Sequence, residues 1–138
     1  MKKLIFIALL CSLISCGLDD DTNQGFDFDL VPILDVELPD ELKKDSIYNL
    51  GIRYLRPTNC HAFRGFDYNR NDNERIVAIV NTVARSEECS TLENDTVAVT
   101  LRLHVVQDDV YIFKFWQGKD ADGENQFLVN EVPVITSQ

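Results

Sequence analysis

Apolar residues recur at every second position through most of this chain. That spacing marks strands with one buried face. The cleanest run is Thr96 to Val106. There Val97, Val99, Leu101, Leu103 and Val105 point one way, and Thr96, Thr100, Arg102 and His104 the other. Ser46 to Leu55 repeats the pattern, with Tyr48, Leu50, Ile52 and Tyr54 on one face. Val110 to Gln117 is an aromatic version. Tyr111, Phe113 and Phe115 share the face expected inward, which leaves Val110, Ile112, Lys114 and Trp116 on the other. Ala62 to Tyr68 carries Phe63, Phe66 and Tyr68 and reads as a further strand, with Gly65 marking a bulge. Arg75 to Ala84 is apolar on both faces. A buried helix is the rival reading, but the β-branched Ile76, Val77, Ile79, Val80, Thr82 and Val83 favour a strand.

The two ends of the pattern are interrupted by prolines. Phe26, Phe28 and Leu30 alternate with Asp27 and Asp29, as in a half-buried strand. Pro32 then intervenes and Ile33 to Leu38 resumes, which suits an edge strand that breaks or switches sheets. Gln126 to Ile135 is the last strand, and its Pro133 fits an edge position. Turn chemistry separates the strands: Pro39-Asp40, Arg56-Pro57-Thr58-Asn59, Asp108-Asp109 and Asp122-Gly123. Seven strands in about 110 residues, with turns every 8–12 residues, predict an all-β, immunoglobulin-like antiparallel sandwich. Tyr111 lies where a tyrosine-corner residue of such a fold would sit. There is no long amphipathic helix, no heptad pattern and no internal repeat.

The first residues follow a different logic. Met1-Lys2-Lys3 is a basic start, and Leu4 to Leu13 carries no charge. A transmembrane span needs roughly 20 apolar residues, about twice this run, whereas a secretory signal needs no more than is here. Leu13-Ile14-Ser15-Cys16, followed by Gly17, resembles the lipobox of bacterial lipoproteins. That resemblance implies cleavage before Cys16, acylation of Cys16 and anchorage of everything after it. The expected organisation is therefore a signal peptide over 1–15, a lipidated cysteine with an acidic flexible tether over 16–25, and one domain over 26–138. Asp19-Asp20-Asp21 resembles the acidic export signal of surface lipoproteins of Bacteroidetes, which implies an outer-membrane protein displayed at the cell surface.

Charge and cysteines narrow the rest. The net charge is −10, and it becomes −12 once Lys2 and Lys3 leave with the signal. Such a surface argues against nucleic acid and against anionic membranes as charge-driven partners. Of four cysteines, Cys11 is discarded and Cys16 is lipidated, so Cys60 and Cys89 remain. In an oxidising compartment they are expected to form a disulfide, since the second-to-third and fourth-to-fifth connections of an immunoglobulin-like sandwich meet at one end. Two separate thiols are the alternative. The chain from Tyr48 onward also resembles a group of uncharacterised Bacteroidetes lipoproteins with immunoglobulin-like domains. The likeness is carried by PTNCHAF with Cys60, ERIVAIV, EECS with Cys89 and, most of all, Tyr111 to Phe127 (YIFKFWQGKDADGENQF). It implies fold and location, and no activity.

Candidate chemistry is sparse. Asp120, Asp122 and Glu124 have the alternate spacing of a calcium loop, but a strand follows too soon for the twelve-residue EF-hand loop. A plain hairpin turn is the stronger expectation, and no cofactor is expected. His61 next to Cys60 lacks the second close pair that structural zinc needs. No G-x-S-x-G, HExxH or Gly-rich phosphate loop occurs, so the expectation is not an enzyme. Two contact surfaces suggest themselves. One is the polar loop at 69–73, with Arg70, Asn71, Asp72 and Asn73. The other is Trp116 beside Ile112, as an interaction patch or sugar-stacking platform; a tryptophan covered by a neighbouring loop is the plainer reading. The functional expectation is a lipid-anchored, non-enzymatic module that binds an unknown protein or glycan, or supports a larger assembly. A small inhibitor or accessory factor of a secreted enzyme, or a glycan-binding accessory lipoprotein, is the alternative.

Overall fold

The computed structural model describes residues 25–136. The strands in chain order are β1 (Phe26–Val31), β2 (Ile33–Glu37), β3 (Leu42–Lys43), β4 (Ile47–Leu55), β5 (His61–Asn71), β6 (Glu74–Ala84), β7 (Thr96–His104), β8 (Tyr111–Lys119), β9 (Asn125–Val132) and β10 (Val134–Ile135). They form a three-stranded sheet in the order β2-β4-β7, a five-stranded sheet holding β1, β5, β6, β8 and β9, and a short β3–β10 pair. The inward residues of both sheets make one core, so the molecule is an immunoglobulin-like β-sandwich. Its pairings are antiparallel except β6–β8 and β3–β10.

The alternation sets the core as expected. Leu50, Ile52 and Tyr54 of β4, Leu101 and Leu103 of β7, and Tyr111, Phe113 and Phe115 of β8 are all buried. β6 is the busiest strand. β5 runs along one flank from Asn71↔Glu74 to His61↔Val83. The other flank is divided. β8 runs parallel to β6 over Glu74 to Val77, and β1 runs antiparallel to it over Ile79 to Ala84. β6 is the central strand, with neighbours on both flanks over most of its length, and their side chains leave even its outward Ile76 and Val80 only partly exposed.

Pro32 does what the sequence suggests. The chain leaves the five-stranded sheet after Val31 and enters the other at Ile33, opposite Tyr54. Gly118 is the close neighbour at this crossing. Its φ is +98°, a conformation that favours glycine, and a Cβ there would sit a tight 3.3 Å from the Pro32 ring. Pro133 breaks the last strand into β9 and β10, and its carbonyl accepts the Leu42 N–H at 2.8 Å. Leu42 adds a strand that the sequence reading did not include after the Pro39-Asp40 turn. It is fully buried, and β3 forms around it.

β1 corrects the sequence reading. Its period is two, but the phase is the reverse of a half-buried strand. Phe26, Phe28 and Leu30 are 54%, 69% and 43% exposed. The aspartates take the other side: Asp27 accepts hydrogen bonds from Arg85, and Asp29 lies 3.3 Å from the buried His61. Only Val31 enters the core. The Arg85 guanidinium holds the Asp27 carboxyl below the usual carboxylate range. A carboxyl depressed in the folded state stabilises above its unfolded pKa, and that contribution fades as pH falls through the folded one. The tie on β1 is therefore present at neutral pH and released only in acid.

The tyrosine corner is present. The Tyr111 hydroxyl accepts the N–H groups of Val106 and Gln107 at 3.0 and 3.3 Å, fixing the crossover from β7 to β8. Tyr111→Phe should destabilise the fold by about 1–2 kcal/mol, because two backbone donors lose their acceptor. Urea unfolding of the two proteins measures it; an unchanged midpoint would show that the corner is decorative.

Candidate functional site

The outer face of the five-stranded sheet is built by register. Val77 and Ile79 face the core, so Ile76, Ala78 and Val80 of β6 face out. Leu30 stands opposite Val80 and Phe28 opposite Thr82. On the other half, Trp116 pairs with Phe127 and Lys114 with Val129. β8 is paired to β6 only as far as Phe115, because β1 takes the flank beyond. Trp116 is thus the first residue past that junction. The face thus carries Phe28, Leu30, Trp116, Phe127 and Val129, the last 53% exposed, with Lys114 and Thr82 among them. Exposed apolar residues gathered on one face mark an interaction surface more often than scattered ones do.

A groove of about 160 Å³ lies within this face. Leu30, Ile76, Ala78, Trp116 and Phe127 are its apolar lining, and Asp67, Asn69 and Asn125 its polar lining. Ala78 provides the space: its neighbours along β6 are Ile76 and Val80, and its small side chain leaves a depression between them. The polar groups are held in place. The indole Nε1–H of Trp116 donates to Asn125 Oδ1 at 3.0 Å, and Asn69 Nδ2 donates to Asp67 Oδ1 at 3.0 Å. Each pair leaves further donors and acceptors unspent. The sequence reading that placed Trp116 away from the core holds: it is half-buried on the outer face, where Leu30 and Phe127 line the same groove. The contribution of β1 was missed, because period-two spacing does not reveal which face a strand buries.

The far end of the sandwich brings together three connections. Lys44 pairs with Asp108 at 2.6 Å, Gln107 Nε2 donates to Asp72 O at 2.6 Å, and Asn73 Nδ2 donates to Val110 O at 2.9 Å. Asp72, Asn73, Gln107, Asp108 and Asp109 line a depression of about 420 Å³. The expected contact loop is smaller than the sequence suggested. Arg70 and Asn71 belong to β5, paired with Arg75 and Glu74, and only Asp72 and Asn73 form the turn. Polar composition hid a long hairpin, because an exposed strand end needs no apolar residue. Asp72 has φ +50°, a conformation that aspartate tolerates better than most. The buried Arg75 braces this turn. It donates to the carbonyls of Asp72 and Glu74 and lies 4.6 Å from the Tyr111 ring centroid.

At the near end, Cys60 and Cys89 are disulfide-bonded, with a Cα–Cα distance of 5.5 Å. Beside them Thr58 Oγ1 lies 2.7 Å from His61 Nδ1, while His61 Nε2 faces Asp29. Hydroxyl, imidazole and carboxylate line up, but the hydroxyl also accepts the Cys60 N–H at 3.2 Å. The array ties β1 to the disulfide turn. His104 is exposed on the outer face of the three-stranded sheet. Asp120, Asp122 and Glu124 form a turn rather than a cation cage. Asp120 Oδ1 accepts the N–H groups of Asp122 and Glu124, both at 2.9 Å, and Gly123 takes φ +81°. Among the described residues no three acidic, histidine or cysteine side chains converge in a metal-holding group. Cys16 and Asp19-Asp20-Asp21 lie outside the described residues. No family model, no curated protein and no solved structure matches this chain.

Proposed function

We propose that the protein is a lipid-anchored, non-enzymatic binding module of the outer membrane, displayed at the cell surface, whose contact surface is the outer face of the five-stranded sheet. One observation carries the proposal: β1 turns Phe26, Phe28 and Leu30 to solvent and its aspartates to the protein. A strand that serves folding alone would gain by the opposite phase, since apolar burial is worth roughly 25 cal/mol per Å². The lipobox-like Leu13-Ile14-Ser15-Cys16 and the acidic run after it support the location, as does the likeness to Bacteroidetes lipoproteins.

Site-specific photo-crosslinking in living cells tests the surface. A diazirine side chain at position 28 should give a discrete adduct that one at position 102, on the opposite sheet, does not. Adducts from both positions alike, or from neither, would remove this face as the contact surface. Display is tested separately. Protease added to intact cells is expected to digest the domain; full protection until lysis would place it on the inner leaflet.

A further inference from the structure

We propose that the groove beside Trp116 is a subsite for a neutral glycan chain, occupied by one sugar ring. The inference rests on the reading of the outer sheet face as the contact surface and names what it binds.

The chemistry is two-sided. A pyranose ring offers a C–H face without charge and a rim of hydroxyls, each both donor and acceptor. It needs an apolar or aromatic wall and a few fixed polar groups beside it. The groove supplies both within about 160 Å³, a space on the scale of a single ring. Trp116 and Phe127 are cross-strand neighbours, so their rings are set by the sheet. Asn125 is fixed by the indole N–H at 3.0 Å, which leaves its amide N–H groups to donate. Asp67 is bonded through Oδ1 to Asn69, which leaves Oδ2 to accept from a hydroxyl. Charge sets the class. Asp67 is a carboxylate with no ion pair among the described residues, on a chain of net charge −10. An anionic sugar would be repelled and a neutral one is not. The exposed Phe28 and Leu30 extend the wall along β1, so further rings of a chain have apolar surface to lie on.

Trp116 is the only tryptophan in the chain, so tryptophan emission, excited selectively over the four tyrosines, reports this groove alone. The test uses the full mature chain with Cys16→Ser, titrated with cello-, manno-, xylo-, galacto-, arabino- and chito-oligosaccharides and with oligogalacturonate. At least one neutral series should shift the emission with saturation, at a Kd on the order of 1 mM or tighter. Asp67→Ala should weaken that response about tenfold, the worth of one hydrogen bond to a charged group. Ala78→Leu, which fills the depression, should abolish it. Asp67 is exposed, so its variant stays informative if Ala78→Leu folds poorly. Silence with every neutral series overturns the inference, as does a stronger response to oligogalacturonate or a response that ignores Asp67→Ala. If a protein adduct still forms at position 28 while all sugars fail, the face remains a contact surface and only the glycan is wrong.

Discussion

Replacing Cys60 and Cys89 together by alanine is expected to cost about 3.6 kcal/mol of folding stability, the chain-entropy value for a loop of roughly 30 residues. The sequence separation across the bridge is 29. The bridged loop encloses the whole β5–β6 hairpin and the start of the 85–95 connection, which carries no strand of its own. Backbone bonds from Asn59 to Ser90 and from Leu92 to Pro57 hold that connection against the turn after β4. These bonds are local and bordered by exposed residues, so they open easily without the covalent tie. The same turn carries His61, and His61 holds Asp29 of β1. Loss of the bridge should therefore loosen β1 as well. Urea unfolding with and without the pair measures the first effect, and amide exchange in β1 the second. A midpoint unmoved by the double substitution would show that the bridge only decorates a fold held by its core.

Cys16→Ser is expected to release the protein from membranes completely. Each buried methylene of an acyl chain is worth about 0.8 kcal/mol, so several chains on one cysteine outweigh any weak surface contact. Among the described residues no helix is long and apolar enough to cross a membrane. The net charge of −10 also disfavours an anionic surface. Fractionation of cells expressing the two forms decides it. Equal retention of Cys16→Ser in the membrane fraction would mean that the anchor lies elsewhere, and it would leave the reading of the sheet face untouched.

Much of the fold was legible because burial has a period. Tyr48 to Tyr54, Val97 to Val105 and Tyr111 to Phe115 needed only alternation to be placed, and the core contains them. Tyr111 and the cysteine pair needed topology as well, and the immunoglobulin-like order supplied it. What stayed hidden has three physical causes. Alternation gives a period without a sign, so Phe26, Phe28 and Leu30 were assigned to the core they avoid. Polar residues can extend a hairpin into solvent, so Arg70 and Asn71 read as loop. Leu42 fills the core from a segment that carries too few residues for any period to show. The groove was half visible. Trp116 could be placed outward from β8 alone, but Asp67, Ala78 and Asn125 come from three other strands, and only the register brings them to it.

The divided flank of β6 sets the order in which the chain can fold. Residues of β1 find their partners 48 to 58 positions further along, and β6 in turn finds β8 38 positions after itself. A chain that crosses a membrane amino end first delivers its first strand long before the strand that seats it. The central strand in turn waits for Phe115 before both its flanks are filled. Pairings this distant in sequence make folding slow, on the order of milliseconds to seconds. During that interval the FDFDL segment is without the β6 partner that seats it.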